Sequence, residues 1–123
     1  RDENNLIFEN LPREHYLTLL KNCKCIIGNS SSGIIEASSF KVPTINLGRR
    51  QKNRYRPNSV IDIKNFDKSK ILKSVKIINS EKFKKKINKI QNPYGNGNSS
   101  TKIINELVKM KNKKDILFKN LTY

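Results

Sequence analysis

One stretch decides what this chain can fold into: CIIGNSSSGIIEASSFKVPTINLGRR, from Cys25 to Arg50. A short apolar run, Cys25-Ile26-Ile27, breaks at Gly28, and Asn29, Ser30, Ser31 and Ser32 lead on to Gly33. The spacing then becomes helical, with Ile34, Ala37, Ser38 and Lys41 on one stripe and Ile35 and Phe40 beside it, until Pro43 stops the helix. Thr44-Ile45-Asn46-Leu47 resumes an extended apolar run before Gly48. Strand, tight turn, helix and strand make one βαβ unit, which predicts an α/β fold with a parallel sheet.

In an open parallel sheet, ligands bind beyond the carboxyl ends of the strands, which is where the turn from Gly28 to Gly33 falls. The first N–H groups of a helix lack intrahelical partners, and the helix dipole adds partial positive charge there. Small residues at that point (Asn29, Ser30, Ser31 and Gly33) let an anion reach the backbone, and phosphate is the anion that fits. Glu36 lies about one turn further on and is read as turning its carboxylate back toward the site. A carboxylate beside phosphate needs neutral hydroxyls to accept from, and the two of a ribose serve. After the next strand, Arg49 and Arg50 can reach the same rim and neutralise a diphosphate, Arg50 being the best single candidate and Arg54 a further one. These features point to a nucleoside diphosphate. A plain strand-to-helix turn with capping serines is the alternative for the same residues.

The segment GNSSSGIIEASSFKVPTINLGRRQ resembles the signature of the hydrolysing UDP-N-acetylglucosamine 2-epimerases of bacterial sialic-acid and legionaminic-acid pathways. The likeness runs upstream through Leu11-Pro12-Arg13 and Tyr16-Leu17. Downstream it runs through Gln51, Arg54, Ser59 to Asp62 and the Asn92 to Asn98 loop, about residues 5–110 in all. It implies that Ser30 and Ser31 hold the diphosphate, that Glu36 binds the ribose, that Arg50 contacts the phosphates, and that backbone near Phe8 meets the uracil. Arg49 departs from the family, which often carries Thr or Asp there, and is given no role. The implied architecture is a Rossmann-like parallel sheet, the C-terminal half of a glycosyltransferase-B fold. Residues 1–110 would then be a UDP-binding domain and residues 111–123 a tail. The resemblance further implies a UDP-sugar substrate, a partnering N-terminal domain that with the segment before residue 1 supplies most of the catalytic acid and base residues, a homo-oligomer, no cofactor and no metal. A non-hydrolysing epimerase and the donor domain of a UDP-sugar glycosyltransferase are the neighbouring alternatives.

Charge raises a reading from another class. The 123 residues carry 26 Lys and Arg against 10 Asp and Glu, a net charge of +16. Residues 64–123 hold 16 basic residues, all of them Lys, against 4 acidic ones, and no Arg follows Arg56. Nucleic-acid binders interleave Arg and aromatics with their lysines. Here the composition instead follows A/T-rich codons, with 20 Lys, 17 Asn and 16 Ile, and the lysines track the solvent faces of helices. The sequence therefore predicts polyanion adhesion at low salt, without a nucleic-acid partner.

The other segments read more simply. Asn5 to Glu9 predicts a first strand with Leu6-Ile7-Phe8 buried; Pro12 then takes the first helical position. Tyr16, Leu17, Leu20 and Cys23 form one helical face. Cys23 and Cys25, at i and i+2, read as core thiols on one side of the junction, and with His15 alone they make no metal set. Ser59 to Ile63 is a fourth strand, and Asp67 caps a helix with Ile71, Leu72, Val75 and Ile78 inward. Phe83, Ile87 and Ile90 form the next inward stripe. The Asn92 to Asn98 loop uses glycines for positive φ, and Ser99 or Ser100 caps a last helix with Ile103, Ile104, Leu107 and Val108 on its apolar face. By resemblance that face packs across a domain junction. With no apolar run near 18 residues, and a start (Arg-Asp-Glu-Asn-Asn) unlike a leader peptide, a cytoplasmic location away from membranes is expected.

Overall fold

The computed structural model describes residues 4–110. The elements run in chain order as α1 (Arg13–Asn22), β1 (Ile26–Gly28), α2 (Ser32–Ser39), β2 (Thr44–Leu47), β3 (Val60–Ile63), α3 (Lys68–Ile78), α4 (Glu81–Asn88) and α5 (Ser99–Lys109). The three strands form one parallel sheet in the order β1-β2-β3, with Ile27 beside Ile45 and Ile45 beside Ile61. The predicted βαβ unit is thus the middle of the domain, with α2 as its crossover.

Side-chain alternation along the strands sorts the apolar residues into two clusters. Ile45 and Ile63 on one face meet Ile78 of α3 and Phe83 and Ile87 of α4, with Cys25, Leu47, Ile61, Ile71, Val75 and Ile90 around them. On the other face Leu20 of α1, Ala37 of α2 and Val42 pack with Tyr16, Leu17, Cys23, Ile26 and Phe40. Two helices cover each face of the sheet, the layering expected when parallel strands are joined by helical crossovers. The lysines of α4 lie outward, as the sequence implies, because Phe83 and Ile87 take the only buried positions of that helix.

Gly33 sets how closely α2 approaches β2. A Cβ at this position would stand 2.7 Å from Thr44 Cγ2, and the Thr44 hydroxyl donates to the Gly33 carbonyl at 2.6 Å. The helix ends earlier than its apolar stripe implies. Lys41 leaves the helix with φ of 57°, its N–H donating to the Ser38 carbonyl and the Val42 N–H to that of Ala37. That pair of bonds is a Schellman ending, with Val42 making the accompanying apolar contact in place of Lys41.

Several expectations are corrected. Leu6, Ile7 and Phe8 are 81, 76 and 53 % exposed and belong to no strand, so β3 is the third strand and the Ser59-Ile63 run is not a fourth. Their composition suits a strand, but a strand persists only on a partner's ladder, and no described strand pairs with this segment. Pro12 stands just ahead of α1, as its N-cap. Cys23 and Cys25 are free thiols that join opposite clusters, because Cys23 precedes the extended stretch and does not share its alternation. In α3, Leu72 is exposed and Ser74 is buried in its place. Asn98, not a serine, is the N-cap of α5, without a side-chain cap bond. The Ile103, Ile104, Leu107 and Val108 face is 58 to 69 % exposed, uncovered by any described element. The tail from Lys111 onward lies outside the described residues.

Candidate functional site

Parallel strands place their following loops at one edge of the sheet, and here two of those loops are joined directly. The turn after β1 runs from Gly28 to Ser32, and the loop after β2 runs from Gly48 to Pro57. The buried Gln51 amide donates from Nε2 to the Asn29 carbonyl at 2.8 Å, bringing the arginine loop against the serine turn. Gly48 opens that loop with φ of 78°, a conformation that side chains disfavour.

Within the turn, Ser30 Oγ accepts the Ser32 N–H at 3.3 Å, and Ser32 Oγ accepts from the Tyr16 hydroxyl at 2.6 Å. Ser31 is the N-cap of α2, yet its hydroxyl makes no cap bond. The capping serines of the plainer reading therefore do not carry the usual capping role. Asn29 and Ser30 are exposed, Ser31 is half-buried, and Gly33 is buried with its Cα turned to Thr44. The helix that opens here is fixed near both ends: Tyr16 of α1 holds Ser32 at its start, and Ser38 Oγ near its end lies 3.2 Å from Ser59 Oγ, just ahead of β3.

Glu36 sits one turn into α2, its Oε1 3.0 Å from Arg13 Nη1 of α1. Arg13 is a residue the sequence reading leaves without a role. Arg50 is exposed beside the buried Gln51, with no carboxylate partner among the described residues. Phe8 lies exposed in the irregular segment ahead of α1, outside the hydrogen-bonded cluster. The structure thus joins Asn29, Ser30, Ser31 and Gly33 in one turn, sets Glu36 on the helix it opens, and attaches the loop that carries Arg50.

Between the loop after β2 and the end of β3, Gly48, Arg49, Lys52, Arg56, Asp62 and Lys64 line a cleft of about 350 Å³. Asp62 accepts from Arg56 Nε at 2.8 Å and from Asn46 Nδ2 at 2.5 Å, and Arg56 Nη1 donates to the Arg54 carbonyl at 2.6 Å. Arg54 is exposed. A wider groove between the end of α2 and the Gln91–Gly97 loop is spanned by Asn92, whose Nδ2 donates to the Ile35 carbonyl and to Ser39 Oγ. Burial pushes both thiols up, Cys25 adding a smaller push on Cys23, so neither is poised as a nucleophile. Among the described residues no three His, Cys, Asp or Glu side chains gather as a metal site, and no helix is long and apolar enough to cross a membrane.

Residues 2–108 match the family model for UDP-N-acetylglucosamine 2-epimerase. The chain belongs to that family. The family is of the glycosyltransferase-B type, in keeping with the parallel sheet and its helical layers. Among curated relatives, the polysialic acid biosynthesis protein P7 of Escherichia coli is 44% identical over 103 residues, covering 81% of this chain and 26% of the relative. The GDP/UDP-N,N'-diacetylbacillosamine 2-epimerase (hydrolyzing) of Campylobacter jejuni is 42% identical over 114 residues, covering 93% of this chain and 29% of the relative. A UDP-N,N'-diacetylbacillosamine 2-epimerase (hydrolyzing) of Legionella pneumophila is 46% identical over 57 residues, covering 46% of this chain and 15% of the relative. The chain therefore spans less than a third of the length of these relatives.

Gln51 and Arg13 make contacts at the site to which the sequence assigns no role; both fall within the segments that carry the resemblance, and that was the signal available for them.

Proposed function

We propose that this chain is the UDP-binding part of a hydrolysing 2-epimerase acting on a UDP-2-acetamido sugar. The observation that carries the reading is the serine turn opening α2 at the carboxyl end of β1, with the arginine loop hydrogen-bonded to it. Ser30, Ser31 and the first N–H groups of α2, with Asn29 and Gly33 forming the turn, take the diphosphate. Arg50 adds the compensating charge. Glu36 accepts from the ribose hydroxyls, and backbone near Phe8 borders the uracil.

In the reaction proposed for the complete enzyme, a base removes the C2 proton of the sugar, the C1–O bond breaks, and UDP leaves with the bonding electron pair. Water then adds to the glycal, its oxygen at C1 and a proton at C2 on the opposite face, giving the free 2-epimer. The residues of this chain stabilise the departing diphosphate by hydrogen bonds and charge, a contribution that grows as negative charge develops on it. The acid and base belong to an N-terminal domain, and no residue here is assigned to them. The names of the two diacetylbacillosamine 2-epimerases support the hydrolysing reading.

Glu36→Gln tests the site. Loss of a charge-assisted hydrogen bond to ribose costs about 1.5–3 kcal/mol, so UDP affinity falls roughly 10- to 100-fold, while inorganic pyrophosphate affinity holds. Because Glu36 also pairs with Arg13, Arg13→Ala is the control, and it leaves the UDP-to-pyrophosphate ratio unchanged. Equal losses of UDP and pyrophosphate in calorimetry would remove Glu36 from the ribose. Product analysis of the complete enzyme tests the reaction: UDP and free 2-epimer appear in equal amounts, whereas an epimerised UDP-sugar would contradict hydrolysis.

A further inference from the structure

Gln51 is 5 % exposed in a loop whose neighbours Arg49, Arg50, Lys52, Asn53 and Arg54 all face solvent. A buried amide is costly unless its donors and acceptors are matched, and Nε2 is matched by a backbone carbonyl 22 residues earlier, that of Asn29. The bond joins the loop after β2 to the turn after β1 without occupying any side chain of that turn. Tight turns fold the loop around Gln51, the Lys52 N–H donating to Arg49 and the Arg54 N–H to Gln51 itself. The far end of the loop is held separately, by Arg56 on Asp62 of β3. Arg50 lies on the other side of the first anchor, between the end of β2 at Leu47 and Gln51, and is the residue adjacent to Gln51.

We propose that Gln51 is a positioning residue: its hydrogen bond to the Asn29 carbonyl registers the arginine loop against the serine turn, so that Arg50 meets a diphosphate already seated there. This rests on the reading of Arg50 as a diphosphate ligand. A pre-set arginine loses less freedom on binding than one on a loose loop, and that difference appears as affinity.

A double-mutant cycle in the complete protein, read as UDP affinity by calorimetry, tests it. Gln51→Met keeps the length and removes the donor; it weakens UDP about 3- to 10-fold. Arg50→Ala weakens UDP roughly 10- to 100-fold. In the Arg50→Ala background, Gln51→Met changes UDP affinity less than about twofold, since a residue acting through Arg50 has nothing left to position. The same loss in both backgrounds would overturn the proposal, because it would make Gln51 a general support of the fold. No loss from Gln51→Met in the parent would overturn it also. If Arg50→Ala itself leaves UDP binding unchanged, the arginine reading fails first and takes this inference with it, a result distinct from the other two. Should Gln51→Met not fold, Gln51→Ala, which leaves room for water at the Asn29 carbonyl, carries the same cycle.

Discussion

Three single residues set local geometry within the fold. At Gly33 a methyl group would stand 2.7 Å from Thr44 Cγ2, on a threonine that is itself buried and bonded to the Gly33 carbonyl. Gly33→Ala therefore pushes α2 off β2, and chemical denaturation should show a loss of about 1–3 kcal/mol. Lys41 has the opposite problem: it adopts a left-handed φ of 57° in a position that glycine fills without strain. Lys41→Gly gives up the Nζ bond to the Asn88 carbonyl, an exposed one, and should still stabilise the fold by about 0.5–1 kcal/mol in the same assay. Asp67 begins α3 by accepting from the Ser69 and Lys70 N–H groups. Hydrogen bonds from Ser69, then Lys70, hold its carboxyl below the ordinary carboxylate value. A carboxyl lowered on folding stabilises the fold above its unfolded pKa, and that contribution is lost as pH falls through the lowered folded value. Asp67→Asn keeps a cap acceptor but cannot titrate, so thermal melts from neutral to acid pH should show a flatter acid limb than the parent.

At the level of elements, legibility followed how local each signal was. The β1–α2–β2 unit could be read because its cues are adjacent in sequence: an apolar run, a cluster of small residues, a helical stripe and a proline. The stop of α2 was placed too late, since Pro43 is the visible breaker while the Schellman ending at Lys41 uses a residue with no such preference. Leu6-Ile7-Phe8 failed for a different reason, because strand propensity says nothing about whether a neighbouring strand is available. Leu72 and Ser74 exchanged places because a helical stripe names a face only to within one residue on either side. At the site, serines and Glu36 announce themselves through residue type, whereas the Gln51 bond to Asn29 spans two loops and depends on the finished sheet. The α5 helix has the periodicity the sequence shows but no described cover for it. Ile104→Lys or Leu107→Lys on that uncovered face should change the stability of the 123-residue chain by no more than about 0.5 kcal/mol. The same substitutions should lower its self-association in analytical ultracentrifugation, since exposed apolar patches drive association. A large stability loss would mean that the helix is covered within this chain after all.

For the molecule as a whole, the question is whether a net charge of +16 or the serine turn governs what it binds. The lysines of α3 and α4 are exposed, so polyanions will adhere at low salt, with log affinity falling steeply against log salt in proportion to the phosphates neutralised. On the proposed reading, UDP has two phosphates met largely by neutral N–H and hydroxyl groups, and its binding should show only a shallow dependence. A tight, sequence-selective nucleic-acid complex that survives physiological salt would reverse that ranking. On the proposed reading this chain is one wall of a cleft, and it should not turn over substrate, because elimination needs a base at C2 and a closed environment around the sugar. The 123-residue chain should therefore release no UDP from UDP-N-acetylglucosamine, and steady turnover would show that the chemistry lies within it. The most direct test of where the nucleotide sits is an amide-resolved NMR titration of the chain with UDP. The account predicts that Gly28 to Gly33, Arg50 and Gln51 shift together and saturably, while α3 and α4 remain still. Shifts confined to the lysine-bearing helices or to the Gln91–Gly97 groove, with the serine turn unmoved, would contradict it.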